Sequence, residues 1–240
     1  MTSTTEKTIG EMVADDYRTA AVFTSFGIDF CCKGNRTLDE VCESNKIAPE
    51  QLLQELQAAI VQQGGTATNY QSWPIDLLAD YIEKTHHRYV AEKMPVLVQY
   101  LQKLCKVHGQ RHPELFEIAE EFMQSANELA NHMKKEEMIL FPYVRQLAVA
   151  KTSGEKAGRP AFGTVQNPIR MMMDEHSAEG ERFARISELS GQYTAPADGC
   201  TTYRVAFDML KEFEQDLHLH IHLENNILFP KAIEMEAILN

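Results

Sequence analysis

The chain carries the pattern H-x3-E-x3-L-F-P twice, as HMKKEEMILFP over 132–142 and HIHLENNILFP over 220–230, with matched positions 88 residues apart. Residues four apart on an α-helix share a face and lie roughly 6 Å apart along the axis. Each helix therefore aims one imidazole and one carboxylate at a common point. Two such helices facing one another supply two nitrogen donors and two carboxylates able to bridge a pair of metal ions. His86 precedes His132 by 46 residues and His176 precedes His220 by 44, so the C-terminal part reads as one helix pair used twice. The expected ligand set is His86, His132, His176, His220, Glu136 and Glu224, with two His per ion and both Glu bridging, projected inward from four helices. Imidazole with carboxylate suits iron, manganese or zinc rather than a thiolate cluster.

A single His and Glu four apart is more often a surface pair. Here the duplication, each copy running into an apolar Leu-Phe-Pro, favours a ligand set. The other histidines are sorted by face. His218 and His222 each stand about 200° around the helix from His220, so alignment on Leu-Phe-Pro selects His220 and leaves those two in solvent. Of the adjacent His86 and His87, only one can point inward. Tyr81, Ile82, Tyr89 and Val90 draw an apolar stripe on the side of His86, leaving His87 with Glu83, Lys84 and Arg88 towards water. His108 and His112 flank Gly109 and Pro113 in an expected loop and read as surface residues.

Cys31 and Cys32 are adjacent, and joining them closes a strained eight-membered ring, so a structural disulfide is not expected. Once deprotonated, the two thiols could bind metal or exchange. Cys42, Cys105 and Cys200 read as small apolar residues. Glu128 lies one turn before His132 and should face inward, and Glu175 directly precedes His176. Either could line a path for iron or protons, or could hold a His ring in place.

The elements that must position these groups are all helical. Thr8-Ile-Gly-Glu11 and Thr37-Leu-Asp-Glu40 are capping boxes opening short helices, and Pro49 starts a helix running to about residue 63. Gly64 to Asn69 is a turn-rich break. We read 1–63 as a small helical Cys-Cys domain, 64–72 as a linker and 73–240 as a four-helix bundle. About sixty residues are few for an independent core, so the first piece should lean on a partner surface. In the bundle, Pro74 opens a helix through His86 to about Val107, which Pro95 should kink or interrupt. Helices are expected over Glu114 to about Val149, from Asn167-Pro168 to about Leu189, and from Thr201 onward, with a loop over 151–165. Met171, Met172 and Met173 read as core packing. Nothing reads as β, and the fold class is all-α.

The net charge of −12 argues against nucleic acid and against an anionic membrane surface. No stretch approaches the ~20 apolar residues of a membrane-spanning helix. The N-terminus shows no basic segment followed by an apolar run, and the five cysteines are an odd number, so reduced thiols and a cytoplasmic location are expected.

At these residues a resemblance enters. The four-helix part resembles a hemerythrin-like di-iron domain, and Gly27-Ile-Asp-Phe-Cys-Cys-Lys-Gly34 resembles the short Cys-Cys domain preceding it in the iron–sulfur cluster repair di-iron proteins. The resemblance covers essentially the whole chain. It implies two non-haem iron ions, oxo- or hydroxo-bridged, on His86, His132, Glu136, His176, His220 and Glu224, with the paired thiols at Cys31 and Cys32. It implies repair of clusters damaged by nitric oxide or peroxide, with damaged or apo iron–sulfur proteins as partners. A di-iron reductase of nitric oxide or peroxide is the alternative, and an oxygen or nitric oxide carrier a third reading. Oxygen-carrying hemerythrins have a second His four residues on in the third helix, where this chain has Gly180, and an Asp five after the last-helix His, where it has Glu224 at four. That leaves open positions and disfavours reversible oxygen storage. The Gly-Gly linker leaves a swapped homodimer open.

Overall fold

Both capping boxes form. The Thr8 and Thr37 hydroxyls accept from the backbone of Glu11 and Glu40, whose carboxylates return to the cap N–H groups. They open α1 (Ile9–Asp15) and α3 (Leu38–Asn45); α2 (Ala20–Ser25) lies between them and α4 (Pro49–Gln62) follows. Gly27, at φ 66°, reverses the chain after α2, a conformation that costs glycine nothing. The computed structural model describes residues 7–62 and 68–240. Residues 64–67 of the Gly64–Asn69 break fall outside the described residues. Among them there is no strand, and Thr8 and Thr37 make an isolated β-bridge.

The bundle contains α5 (Ile75–Tyr81), α6 (Arg88–His108), α7 (Glu114–Lys135), α8 (Phe141–Ser153), α9 (Gln166–Leu189), α10 (Thr201–Leu223) and α11 (Phe229–Leu239). Wider π-helical turns over Ile82–His87, Glu136–Leu140 and Glu224–Leu228 join α5 to α6, α7 to α8 and α10 to α11, so three of the four rods change winding at a candidate ligand. Pro142 and Pro230 sit in the first turns of α8 and α11. Each lacks the N–H that would close an ordinary α-turn there, which fits a π-bulge just upstream. The rods nevertheless continue for another 13 and 11 residues. α6 likewise runs unbroken through Pro95. Helix α6 packs on α7 and α10, α7 on α9, and α9 on α10, which closes the bundle.

Two apolar clusters fill the interior, with the candidate ligands between them. Above lie Leu97, Phe122, Phe183 and Phe213, the last two stacked with centroids 5.6 Å apart. Below lie Ile82, Phe141, Leu228 and Phe229. Each fully buried Phe contributes about 1.5–3 kcal/mol, so the polar layer is clamped from both ends. Only Met172 of the three methionines is buried; Met171 and Met173 are exposed on the outer face of α9.

Residues 7–62 lean on the chain's own bundle. Ile9, Phe23, Phe30 and Leu52 belong to one apolar cluster with Leu97 and Phe213. Phe30 meets His218 and His222 edge-on. This cover corrects the expectation that those histidines are solvated: His222 is wholly buried and His218 partly so. Burial holds the His222 imidazole down at about 3, so it is neutral.

His108 and Cys200 also depart from expectation. His108 ends α6 buried against Tyr203, and its Nε2 lies 3.3 Å from Cys200 Sγ; His112 is half-buried between Glu114 and Asp198. Cys200 is exposed at the N-cap of α10. His108 and then the N–H groups of the first turn pull its thiol down to about 7. Iodoacetamide at about pH 7.5 will therefore label Cys200 first among the five cysteines, and His108→Ala will move the labelling midpoint upward towards about 8.5. Peptide mass mapping across a pH series checks both.

Candidate metal centre

Glu136 and Glu224, each opening a π-turn, are wholly buried at the centre of the bundle. Glu136 Oε2 lies 3.3 Å from both His132 Nε2 and His87 Nε2. Glu224 Oε1 lies 3.3 Å from His220 Nε2, and Oε2 lies 3.2 Å from His176 Nε2. The donors fall into two groups sharing both carboxylates: His87, His220, Glu136 and Glu224, and His132, His176, Glu136 and Glu224. His132 Nε2 and His176 Nε2 face each other at 3.1 Å, two nitrogens directed at one point.

The structure puts His87 where His86 was expected. His86 is buried, but its Nδ1 donates to Asp216 (2.9 Å) and its ring stacks at 12° on His220, outside both donor groups. The cause is the π-turn at Ile82–His87. Extrapolating one helical face from Tyr81 and Ile82 assumes 3.6 residues per turn, and an i→i+5 turn rotates everything after it. One signal was available in the sequence: His87 stands 45 residues before His132, nearer the 44 between His176 and His220 than the 46 for His86.

Three of the four ring nitrogens facing away from the centre are tied down, which leaves Nε2 of those rings as the donor, while His220 Nδ1 has no partner. His87 Nδ1 donates to Glu137 (2.8 Å), His132 Nδ1 to Glu175 (2.8 Å) and His176 Nδ1 to Asn225 Oδ1 (2.8 Å). Glu175 therefore positions a ring, and it also pairs with Lys135. His132 and then Lys135 hold the Glu175 carboxyl down at about 2. Glu128 does not turn inward. It is exposed and paired with Arg182 (3.0 Å): four residues overshoot one helical turn by about 40°, which leaves Glu128 at the rim of the cavity beside α9, where Arg182 takes its carboxylate. The carboxylate that is buried is one the sequence reading passed over, Glu179, which accepts from Ser125 Oγ (2.7 Å) and Arg182 Nε (3.2 Å) and is pushed up by burial. It lies three residues after His176, on the inner face of α9.

The electrostatics fit a cation. No oxygen of Glu136 or Glu224 has a hydrogen-bond partner, and the Nε2 atoms of His87 and His220 also lack one. Burial opposes ionisation of both carboxyls, and Glu224 opposes that of Glu136, yet the surrounding imidazoles hold both below the usual range. Burial likewise opposes charge on His132, but Glu136 and Glu175 outweigh it and raise the imidazole to about 10. Negative charge this deep needs positive partners: protons on imidazoles without metal, and cations with it. A cavity of about 270 Å³ reaches the centre past His132, His176 and His220, with Glu128, Lys135 and Glu175 around it.

Cys31 and Cys32 sit on a turn against α9. Asp29 Oδ1 accepts from the backbone N–H of both, and their Sγ atoms lie 3.7 Å apart as free thiols. Cys31 is buried; Cys32 is half-buried, and its thiol donates to the carbonyl of His176 (3.3 Å). Cys32, the burial of its own thiol and Asp29 hold the Cys31 thiol well above its ordinary value, so at neutral pH Cys31 is protonated.

A helical bundle whose interior presents two imidazole pairs across two shared carboxylates is a cation-binding bundle of the hemerythrin class. Residues 78–232 match the hemerythrin HHE cation-binding domain, and residues 5–60 match the ScdA_N domain, a domain of unknown function. The chain is 31% identical over 229 residues to the iron–sulfur cluster repair protein ScdA of Staphylococcus haemolyticus, covering 95% of this chain and 98% of that one. It is 32% identical over 232 residues to the iron–sulfur cluster repair protein YtfE of Musicola paradisiaca (97% and 98%), and 30% over 230 to that of Yersinia pestis (96% and 98%). The chain belongs to this family of iron–sulfur cluster repair proteins. No helix among the described residues is long and apolar enough to cross a membrane.

Proposed function

We propose that this protein repairs iron–sulfur clusters damaged by nitrosative or oxidative stress, by holding two non-haem iron ions and giving iron up to a damaged or apo-cluster protein. One observation carries the reading: two wholly buried carboxylates, with no hydrogen-bond donor on any oxygen, are shared between two imidazole pairs. Leaving such charges uncompensated costs several kcal/mol each. Glu136 and Glu224 would bridge, His87 and His220 would hold one ion, and His132 and His176 the other. The bound pair supplies both the cargo and one-electron chemistry.

The remaining residues act around it. Glu175, steadied by Lys135, fixes the His132 ring. The cavity beside Glu128 and Lys135 offers iron, nitric oxide or oxygen a passage to the His132–His176 side. Cys32, the more accessible thiol, rests on the His176 backbone carbonyl, with protonated Cys31 beside it, so these thiols are the ones placed to take part when iron leaves the His132–His176 position. The test is reactivation of a cluster-damaged dehydratase by anaerobically iron-loaded protein, compared with free iron at the same concentration. Loaded protein should restore activity where free iron does not, and Cys31→Ser with Cys32→Ser should slow restoration severalfold at an unchanged iron stoichiometry. Equal restoration by free iron sinks the reading. Consumption of nitric oxide well beyond stoichiometry by the reduced protein would replace it with a reductase.

A further inference from the structure

Three of the four candidate ligand rings have an outer hydrogen-bond partner, and they differ in kind. His87 and His132 lean on carboxylates, Glu137 and Glu175. His176 leans on a neutral amide, Asn225, and Asn225 is not free to serve it alone. Its Nδ2 donates to the carbonyl of Cys31 (3.2 Å), so one buried side chain joins the Cys-Cys turn to a ligand ring. Contacts around it reinforce this junction. The Cys32 thiol donates to the His176 carbonyl, and Asn226 Nδ2 reaches the carbonyls of Phe30 and Cys31. Gly180 makes the approach feasible, since a Cβ there would sit 3.2 Å from Cys32 Sγ, tighter than ordinary packing. Gly10 and Gly34 leave room for Asn226 Oδ1 in the same way.

We infer that Asn225 is a positioning residue through which docking of the Cys31–Cys32 turn sets the hold of His176 on its ion. This rests on the reading of a bound ion pair. With the turn docked, the Asn225 amide is fixed at both ends, and the His176 ring keeps Nε2 directed at the centre. With the turn lifted, Asn225 loses the Cys31 carbonyl, and His176 loses both its partner's anchor and the thiol on its backbone. Only the His132–His176 position is coupled in this way, because among the described residues no hydrogen bond, ion pair or ring contact joins His87 or His220 to the Cys-Cys segment. Coupling between two events is reciprocal, so a bound ion must in turn hold the turn down. Gly180, where oxygen-carrying relatives place a further His, is on this view the space that lets the thiol dock.

The test uses full-length protein loaded with ferrous iron under nitrogen. Stoichiometry is measured first, then iron release to a chelator, and then iodoacetamide labelling of Cys32 with and without iron. Asn225→Ala should speed release of one of the two ions about 10–100-fold, the range for loss of an outer-shell partner, and leave the other ion unchanged. Gly180→Ala, which displaces the thiol without touching the His176–Asn225 bond, should speed the same phase severalfold. Iron should slow Cys32 labelling in the parent protein and not in Asn225→Ala. Acceleration of both phases alike, acceleration of neither, or Cys32 labelling indifferent to iron in the parent overturns the coupling. A stoichiometry below two overturns the ion pair instead, and the labelling comparison still decides the coupling.

Discussion

His87→Ala will lower bound iron from two ions to one, whereas His86→Ala will leave two bound. The neighbours are equally buried and adjacent in sequence, so burial does not separate them; their partners do. His87 presents Nε2 to Glu136 and is braced from behind by Glu137. Its removal strips one of the two nitrogen donors from the group completed by His220 and both Glu. The other group, His132 and His176 with the same carboxylates, stays intact. His86 acts on its neighbours instead: it stacks on His220 and anchors Asp216. Losing it loosens His220, the ligand whose Nδ1 has no partner of its own, and should weaken the His87–His220 ion by about 10–100-fold. Metal analysis after gel filtration separates the two outcomes, and repair activity should fall by at least two orders of magnitude only for His87→Ala. Two ions retained in His87→Ala would restore His86 as the ligand.

That pair of residues shows where the sequence was legible and where it was not. The repeated H-x3-E-x3-L-F-P placed His132, Glu136, His220 and Glu224 in matching positions because each His and its Glu lie within one ordinary α-turn. The π-turns begin at the Glu, so the four-residue spacing is undisturbed. His87 lies at the end of a π-turn, so its face could not be reached by counting from Tyr81. The capping boxes at Thr8 and Thr37 are local hydrogen-bonding patterns and were readable for that reason. His108, His222 and Cys200 were misplaced because their surroundings are supplied by distant segments. Phe30 covers His222 from nearly two hundred residues away, and His108 meets Cys200 across the end of the bundle. The Asn225 bridge is of this kind too. An Asn after a ligand Glu carries no signal until the Cys-Cys turn is seen to dock on it.

The largest effect is expected at the shared carboxylates. Glu136→Gln and Glu224→Gln each remove a donor from both groups at once, so each should abolish the pair and leave at most one weakly held ion. Stability reports this independently of activity. Ligand at a hundredfold excess over its dissociation constant adds about 2.7 kcal/mol per site. Two sites in a chain of this size should then raise Tm by roughly 10–20 °C. In either Gln variant most of that shift should vanish, while the metal-free Tm should change far less. Proton release gives a second readout. Without metal, His132 is raised from 6.5 to about 10 and carries a proton at neutral pH. That protonation stabilises the metal-free fold fully below about pH 6.5, and the contribution is lost as pH rises through about 10. Metal must displace the same proton to reach Nε2, so loading at pH 7 in weak buffer should acidify the solution by about one proton per chain from this residue. Loaded protein should keep its stability at alkaline pH where metal-free protein weakens. A full thermal shift in Glu224→Gln, or loading with no proton release, would mean the ions are held elsewhere than between these two carboxylates.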